Sequence, residues 1–164
     1  MTVELKFSAH RLNTLWRAVR RLALMTALAA SMTPALADDA STAAANKALV
    51  LEFYQRLFGD KDPGAIDQYL AEGYIQHNPH VPTGRAALKQ ALGGMLAGAP
   101  KTKVDVRRIA AEGDLVWLHV RAVMPDGRPT AIVDIFRVER GRIAEHWDVV
   151  QPVPEKAAND NGMF

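Results

Sequence analysis

The stretch Thr130–Gln151, TAIVDIFRVERGRIAEHWDVVQ, contains the pattern that decides the fold. Apolar residues recur at every second position on both sides of Arg140-Gly141, which predicts two antiparallel strands joined by a tight turn. The first strand is apolar on both faces, because Ile132 and Phe136 alternate with Val133. A sheet with one face in water would alternate apolar with polar residues. Both faces of this sheet are therefore expected to be covered.

The rest of the chain predicts helices first and strands afterwards. Apolar residues recur at helical spacing in three segments that start near Asn46, Asp62 and Thr83. The period then changes to two, and the predicted strands are Lys103–Ala111, Leu115–Met124, Thr130–Glu139 and Arg142–Gln151. This order predicts an α+β fold with an antiparallel sheet. Helices are expected to cover one face of the sheet, and a second copy of the protein the other.

The turn between the last two strands decides which polar side chains share a face. A two-residue loop needs a positive φ at Arg140, which arginine tolerates poorly. The sequence therefore favours a three-residue loop with Gly141 in the left-handed conformation. Asp134 then opposes His146, and both share a face with Asp148. Two carboxylates and an imidazole on an otherwise apolar face are costly unless they are paired or used.

The candidate site is built from polar side chains on these strands. His119 lies in the middle of a strand with Arg121 on its face, and His77 lies where a loop meets the sheet. Purely structural roles are the alternative. Asp148 could be one half of a buried ion pair, and His119 could be a core histidine whose ring nitrogens are hydrogen-bonded. The candidate catalytic residues are Asp148 and His119, and the candidate substrate-binding residues are His77, Asp134, His146, Arg121 and Phe136.

The composition argues against several other classes of protein. Acidic residues outnumber basic ones by two past residue 37, whereas a nucleic-acid-binding protein needs clustered cations. The chain has no cysteine, so it forms neither disulfides nor a thiolate zinc site. His77 and His80 have the spacing H-x-x-H, but the proline between them means that the two rings need not converge. We therefore predict no metal site.

The N-terminal segment is typical of an export signal. Five cations occur in residues 1–21, an apolar run follows over Leu22–Ala30, and Ala35-Leu36-Ala37 matches a cleavage site. The apolar run is shorter than the roughly 20 residues of a membrane span. We predict a signal peptide over residues 1–37, cleaved near Ala37/Asp38, and a periplasmic or secreted protein with no stable membrane insertion. An amphipathic first helix and an uncleaved anchor are the alternatives.

The mature chain is divided by its composition into two parts. Residues 38–45 are rich in alanine, aspartate, serine and threonine, which predicts a linker. Residues 46–164 form the predicted domain, of which residues 152–164 are a C-terminal tail. No internal repeat is present in the sequence.

Several motifs resemble one family. The segments Ile132–Val138, Gly141–Ile143 and Glu145–Val150 resemble the SnoaL-like polyketide cyclases of the nuclear-transport-factor-2-like superfamily. The resemblance covers about residues 46–164. It implies a curved sheet wrapped around N-terminal helices as a cone, with a deep pocket inside and a homodimer outside. It also implies acid–base chemistry without metal or cofactor, in which a pocket aspartate moves protons during an aldol condensation. The matching position is Asp148.

Together these features predict a cofactor-independent enzyme that acts on a small carbonyl compound. Asp148 would abstract or return a proton next to the carbonyl, and His119, with His77, would polarise the carbonyl oxygen. Asp134 would orient an imidazole. Two alternatives stay open. One is a non-catalytic module that binds a small ligand, and the other is an epoxide hydrolase-like site in which Asp134, Arg121 and Asp148 activate water.

Overall fold

The computed structural model describes residues 39–124 and 126–164. Residues 41–164 form one compact unit. Helix α1 covers residues 39–54 and continues as a π-helical turn over Gln55–Gly59. The remaining elements are α2 (Gly64–Tyr69), β1 (Leu70–Gln76), α3 (Arg85–Leu96), β2 (Asp105–Glu112), β3 (Leu115–Val123), β4 (Pro129–Glu139) and β5 (Arg142–Pro152).

The structure describes the predicted linker but not the predicted signal peptide. Residues 39–45, for which the composition predicts a linker, are helical. The predicted signal peptide, residues 1–37, lies outside the described residues. Within the described part of the chain, no helix is both long and apolar enough to cross a membrane.

The five strands form one mixed sheet in the order β1-β5-β4-β3-β2. β1 pairs with β5 in parallel, and the other three pairs are antiparallel. One face, the inner face, packs against the helices, so alternate residues of β3 are buried there. The core between the helices and this face contains Val50, Phe53, Leu57, Ile66, Leu88, Leu118, Phe136 and Ile143. The α+β prediction is therefore confirmed.

The hairpin between β4 and β5 differs from the prediction. Glu139 pairs with Arg142 across a two-residue loop, in which Arg140 has a φ of 50° and Gly141 a φ of 70°. The prediction of a three-residue loop was wrong, because this turn type matches the twist of the strands and so offsets the strain at Arg140. The exposed Arg140 side chain also pairs with Glu139 at 2.9 Å.

The register of the hairpin differs accordingly, but the faces do not. A bulge at Ala144 follows the turn, since Arg137 pairs with Glu145 and Val138 with Ile143. Asp134 consequently opposes Asp148, where we expected His146. The shift amounts to two positions along a strand, and side chains alternate with a period of two. The carboxylates and the imidazole therefore share the inner face, as the sequence predicts.

The second face of the sheet, the outer face, points away from the helices. Its central part is apolar and includes Trp117, Ile135 and Trp147, which pair across β3, β4 and β5. Val133 is 40% exposed and Val149 is 68% exposed. The described residues of one chain thus leave apolar surface of the outer face in contact with water.

Candidate functional site

Two carboxylates meet at the middle of the inner face. Asp134 on β4 pairs directly with Asp148 on β5, and Leu118 on β3 lies beside Asp134. Asp134 is only 5% exposed. Ligand atoms of Asp134, His146 and Asp148 all lie within 4.8 Å of one another. Strand alternation alone creates this cluster, because all three residues have the same parity in the hairpin.

Asp134 is paired with the imidazole of His146. Nε2 of His146 lies 3.0 Å from Oδ1 of Asp134, and the two side chains are 12% and 7% exposed. Tyr54, on α1, donates its hydroxyl hydrogen to the other carboxylate oxygen at 3.0 Å. Phe136 stacks on the imidazole with its centroid 4.7 Å away. Each polar atom of the buried pair therefore has a partner, as burial requires.

Asp148 is held by an amide instead of a cation. Nδ2 of Asn78 lies 2.8 Å from both carboxylate oxygens. The orientation of this amide follows from its other end, because Oδ1 of Asn78 accepts a hydrogen bond from the backbone N–H of His80 at 2.8 Å. A backbone N–H can only donate, so the oxygen faces His80 and the NH₂ group faces Asp148.

Two tyrosine hydroxyls border the carboxylates. Burial, together with the charge of Asp134 and its hydrogen bond, raises the pKa of Tyr54 well above the usual range. Burial raises the pKa of Tyr74 well above that range as well, assisted by the charges of Asp148 and Asp134. Both phenols therefore keep their hydrogen at physiological pH and act as hydrogen-bond donors.

Gln76, the last residue of β1, connects these groups. Its Nε2 donates to Oη of Tyr74 at 3.0 Å. Its Oε1 lies 3.0 Å from the backbone nitrogen of Asn78 and 3.0 Å from Nδ1 of His146. The parallel pairing of β1 with β5 places Gln76 directly beside His146. The polar groups therefore form one connected network.

His119 and Arg121 lie on the other face of the sheet. His119 pairs with Val133, so its side chain emerges on the outer face. Its Nδ1 accepts a hydrogen bond from Arg108 at 3.0 Å, and its ring stacks on Phe164. The guanidinium of Arg121 lies over the same ring, 5.8 Å from the centroid.

This placement corrects two predicted arrangements. The expectation that His119 polarises the carbonyl group of a substrate that Asp148 deprotonates was wrong, because adjacent residues of a strand point to opposite faces. Leu118, not His119, shares the face of Asp134. The epoxide hydrolase-like arrangement was wrong for the same reason, since Arg121 lies on the outer face.

His77 also lies on the outer face. Its ring stacks on Trp147 with centroids 4.3 Å apart, and its Nε2 lies 2.9 Å from Glu145. Hydrogen bonds from His77 and Arg137 lower the pKa of Glu145. The structure thus brings four predicted site residues together and separates the other three. The four on the inner face are Asp134, Phe136, His146 and Asp148.

Four residues of the inner-face network were missing from the predicted site, and they are Tyr54, Tyr74, Gln76 and Asn78. The sequence from Tyr74 to Pro79 does indicate a part of the site, but the predicted site residue in it is His77. In a strand that ends at residue 76, however, alternation turns Gln76 inward and His77 outward. Tyr54 lies among the core positions of α1, where a buried hydroxyl needs a partner.

Two cavities formed by the described residues lie away from Asp148. One cavity, of about 140 Å³, lies at Arg108, Trp117 and His119. Another, of about 420 Å³, lies between the end of β5 and the tail. Neither includes Asp148. The inner face is open to solvent next to Asp148. Val120, Ile132 and Val150 pair across β3, β4 and β5 on this face, and exposure rises from 3% at Val120 to 44% at Val150.

Among residues 39–124 and 126–164, the cluster is also the only group of three or more histidine and acidic side chains that lie close enough together to hold a metal ion. Asp134, His146 and Asp148 would supply one nitrogen and two carboxylate groups. The distance of 3.0 Å between His146 and Asp134 is that of a hydrogen bond, so a cation would have to displace the shared proton. The geometry of the pair therefore fits acid–base chemistry.

Comparisons with known proteins agree with this architecture. A search of curated proteins found no match. An NTF2-like protein of unknown function from Mesorhizobium loti is 28% identical, with a TM-score of 0.54 over 66% of this chain and 93% of that one. AclR from Streptomyces galilaeus, to which hydroxylase activity is attributed, is 25% identical, with a TM-score of 0.55 over 66% and 79%.

A third solved structure shares the fold. IdmH from Streptomyces antibioticus, to which polyketide cyclase activity is attributed, is 23% identical, with a TM-score of 0.51 over 64% of this chain and 91% of that one. The family model described as a SnoaL-like domain matches residues 50–146, more than half of the chain. The chain therefore belongs to the SnoaL-like domain family and has the nuclear-transport-factor-2-like fold.

Proposed function

We propose that this chain is a cofactor-independent acid–base enzyme that acts on a small carbonyl compound at Asp148. The observation that supports this proposal most strongly is the environment of Asp148. Both of its oxygens accept hydrogen bonds from a neutral amide, and a proton-bearing Asp134–His146 pair lies beside it. A base next to a proton source is the minimum that proton transfer requires.

The chemical step is a proton abstraction from the carbon next to the carbonyl. The C–H bond breaks, its hydrogen goes to a carboxylate oxygen of Asp148, and the electron pair forms an enolate. Return of the proton at another carbon is an isomerisation. Attack of the enolate on a second carbonyl carbon forms the C–C bond and breaks the C=O π bond, and the resulting alkoxide takes the proton from Asp148; loss of water then completes an aldol condensation. Positioned acid–base groups of this kind contribute roughly 10²–10⁴-fold in rate.

The enolate oxygen needs hydrogen-bond donors. Tyr74 Oη accepts its bond from Gln76, which leaves the hydrogen of the phenol for a second partner. The raised pKa of Tyr74 keeps that hydrogen in place. Donors oriented toward a developing oxyanion stabilise the transition state most in a buried site. Tyr74 is therefore the donor that we assign to the enolate oxygen.

Deuterium exchange tests this function without knowledge of the natural substrate. The protein is incubated in D₂O with 2-tetralone, cyclohexanone or acetophenone, and loss of the α-proton signals is followed by NMR. We expect exchange above the buffer rate with at least one of these ketones. Saturable binding of a ketone without any added exchange would support the alternative, a module that only binds small ligands.

We also propose that a second copy of the chain covers the outer face. The exposed Val133 and Val149 flank the apolar strip there, and removal of such surface from water stabilises a dimer. Light scattering at micromolar concentration should give twice the mass of the chain. Val149→Asp should shift the protein to monomer, whereas Met95→Asp, at an exposed position of α3 on the helix side of the sheet, should not. A monomeric wild-type protein would contradict the proposal.

We further propose that the protein is exported and cleaved near Ala37. The order of cations, apolar run and small residues supports this proposal. Expression in a bacterium, followed by N-terminal sequencing of the periplasmic fraction, should give a sequence that begins near Asp38. Replacement of Ala35 and Ala37 by large residues should block processing. Soluble cytosolic protein with an intact Met1 would contradict the proposal.

A further inference from the structure

The amide of Gln76 has a defined orientation. The backbone N–H of Asn78 points at one end of this amide, and the two heavy atoms lie 3.0 Å apart. A backbone N–H is a donor only, so the oxygen of Gln76 has to occupy that end. The amide nitrogen then donates to Oη of Tyr74 at 3.0 Å. The main chain therefore fixes which atom of Gln76 meets His146.

The same oxygen determines where His146 is protonated. Oε1 of Gln76 also lies 3.0 Å from Nδ1 of His146. An amide oxygen has no hydrogen to donate, so the hydrogen in this contact belongs to Nδ1. The neutral tautomer that carries its hydrogen on Nε2 would leave two lone pairs facing each other at 3.0 Å.

A consequence follows for the buried pair. Nε2 of His146 lies 3.0 Å from Oδ1 of Asp134. With Nδ1 protonated, a hydrogen in this contact makes the pair either imidazolium with carboxylate or imidazole with carboxylic acid. Both forms have a net charge of zero. The Nε2–H tautomer with a carboxylate would give the pair a charge of −1 beside Asp148, at a desolvation cost.

We propose that Gln76 is a positioning residue that fixes the hydrogen of His146 on Nδ1 and thereby loads one proton between His146 and Asp134. The catalytic part of this inference rests on the proposed function, in which the loaded proton between His146 and Asp134 is the acid and Asp148 is the base. The protonation of Nδ1 does not depend on any activity. The two claims can therefore fail separately.

Long-range ¹H–¹⁵N correlation spectra of ¹⁵N-labelled protein near neutral pH test the inference. His146 is assigned by comparison with His146→Gln. The wild type should show a protonated Nδ1. Gln76→Leu, which removes the acceptor, should convert His146 to the neutral form protonated on Nε2. Gln76→Glu, which keeps an acceptor oxygen, should retain the hydrogen on Nδ1. Gln151→Leu, on the outer face of β5, is the matched control.

Two outcomes would overturn the inference. One is a wild-type spectrum with an unprotonated Nδ1, which needs no variant to be folded. The other is a folded Gln76→Leu protein in which Nδ1 stays protonated. If ketone exchange is absent while Nδ1 is protonated as described, the proposed function fails and the positioning role of Gln76 stands. If exchange is present with an unprotonated Nδ1, the reverse holds.

Discussion

Asp148→Asn should lower the rate of ketone deuterium exchange by about two orders of magnitude or more. The amide keeps the shape of the side chain but offers no basic oxygen to accept the proton. Stability should change little, because the partner of Asp148 is the neutral amide of Asn78 and no buried charge is left alone. Loss of one such hydrogen bond costs about 1 kcal/mol. NMR exchange rates and thermal melts measure the two effects separately.

His119→Gln is the matched control for this prediction. His119 was a predicted catalytic residue, and it lies on the outer face of the sheet. Its substitution should leave the exchange rate within about twofold of the wild type, a difference of about 0.4 kcal/mol in the barrier. If His119→Gln abolishes exchange and Asp148→Asn does not, the assignment of the site to the inner face is wrong.

Asp134→Ala should lower the free energy of unfolding by about 3–5 kcal/mol, because it leaves His146 and the hydroxyl of Tyr54 buried without their partner. Urea denaturation measures this loss. The double variant Asp134→Leu with His146→Phe should recover much of the stability, because replacement of a buried pair by apolar residues is often neutral. It should also lose exchange activity, because the loaded proton is gone.

Asp126→Ala provides the control for stability. Among the residues that the structure describes, Asp126 bonds only to Arg128, through its guanidinium and its backbone N–H, and both side chains are exposed. Surface pairs contribute little, so the denaturation midpoint should not move. If the Asp134→Ala protein is as stable as the wild type, the Asp134–His146 pair is not a buried pair in which each side chain needs the other.

The parts of the fold that alternation determines could be predicted from the sequence. The positions of Asp134, His146 and Asp148 on one face depend only on parity in two adjacent strands. The error in the turn at Arg140 was compensated by the bulge at Ala144, because each adds one residue to the register. A prediction based on parity is therefore more robust than one based on turn type.

The partners of these residues could not be predicted in the same way. Gln76 and Asn78 reach the site because β1 pairs with β5 in parallel, about 70 residues away in sequence. No local pattern in the chain encodes that pairing. Tyr54 reaches Asp134 across the packing of α1 on the sheet, which is likewise a tertiary contact.

The predicted role of His119 failed for a different reason. The sequence places His119 at the centre of a strand that has apolar residues on both faces, so alternation alone did not show which face packs against the helices. Val116, Leu118 and Val120 occupy the inner face, so His119 has to lie on the outer face. The alternation of residues in β3 does not determine whether His119 faces the helices, and the packing of the helices on the inner face does.

The proposed site lies on the inner face of the sheet around Asp148. Titration of ¹⁵N-labelled protein with 2-tetralone, followed by mapping of the chemical-shift changes, tests this claim directly. We expect the largest changes at His146, Asp148 and Val150, where the inner face opens. Saturable changes centred on Trp117 and His119, with the inner face unchanged, would contradict the account.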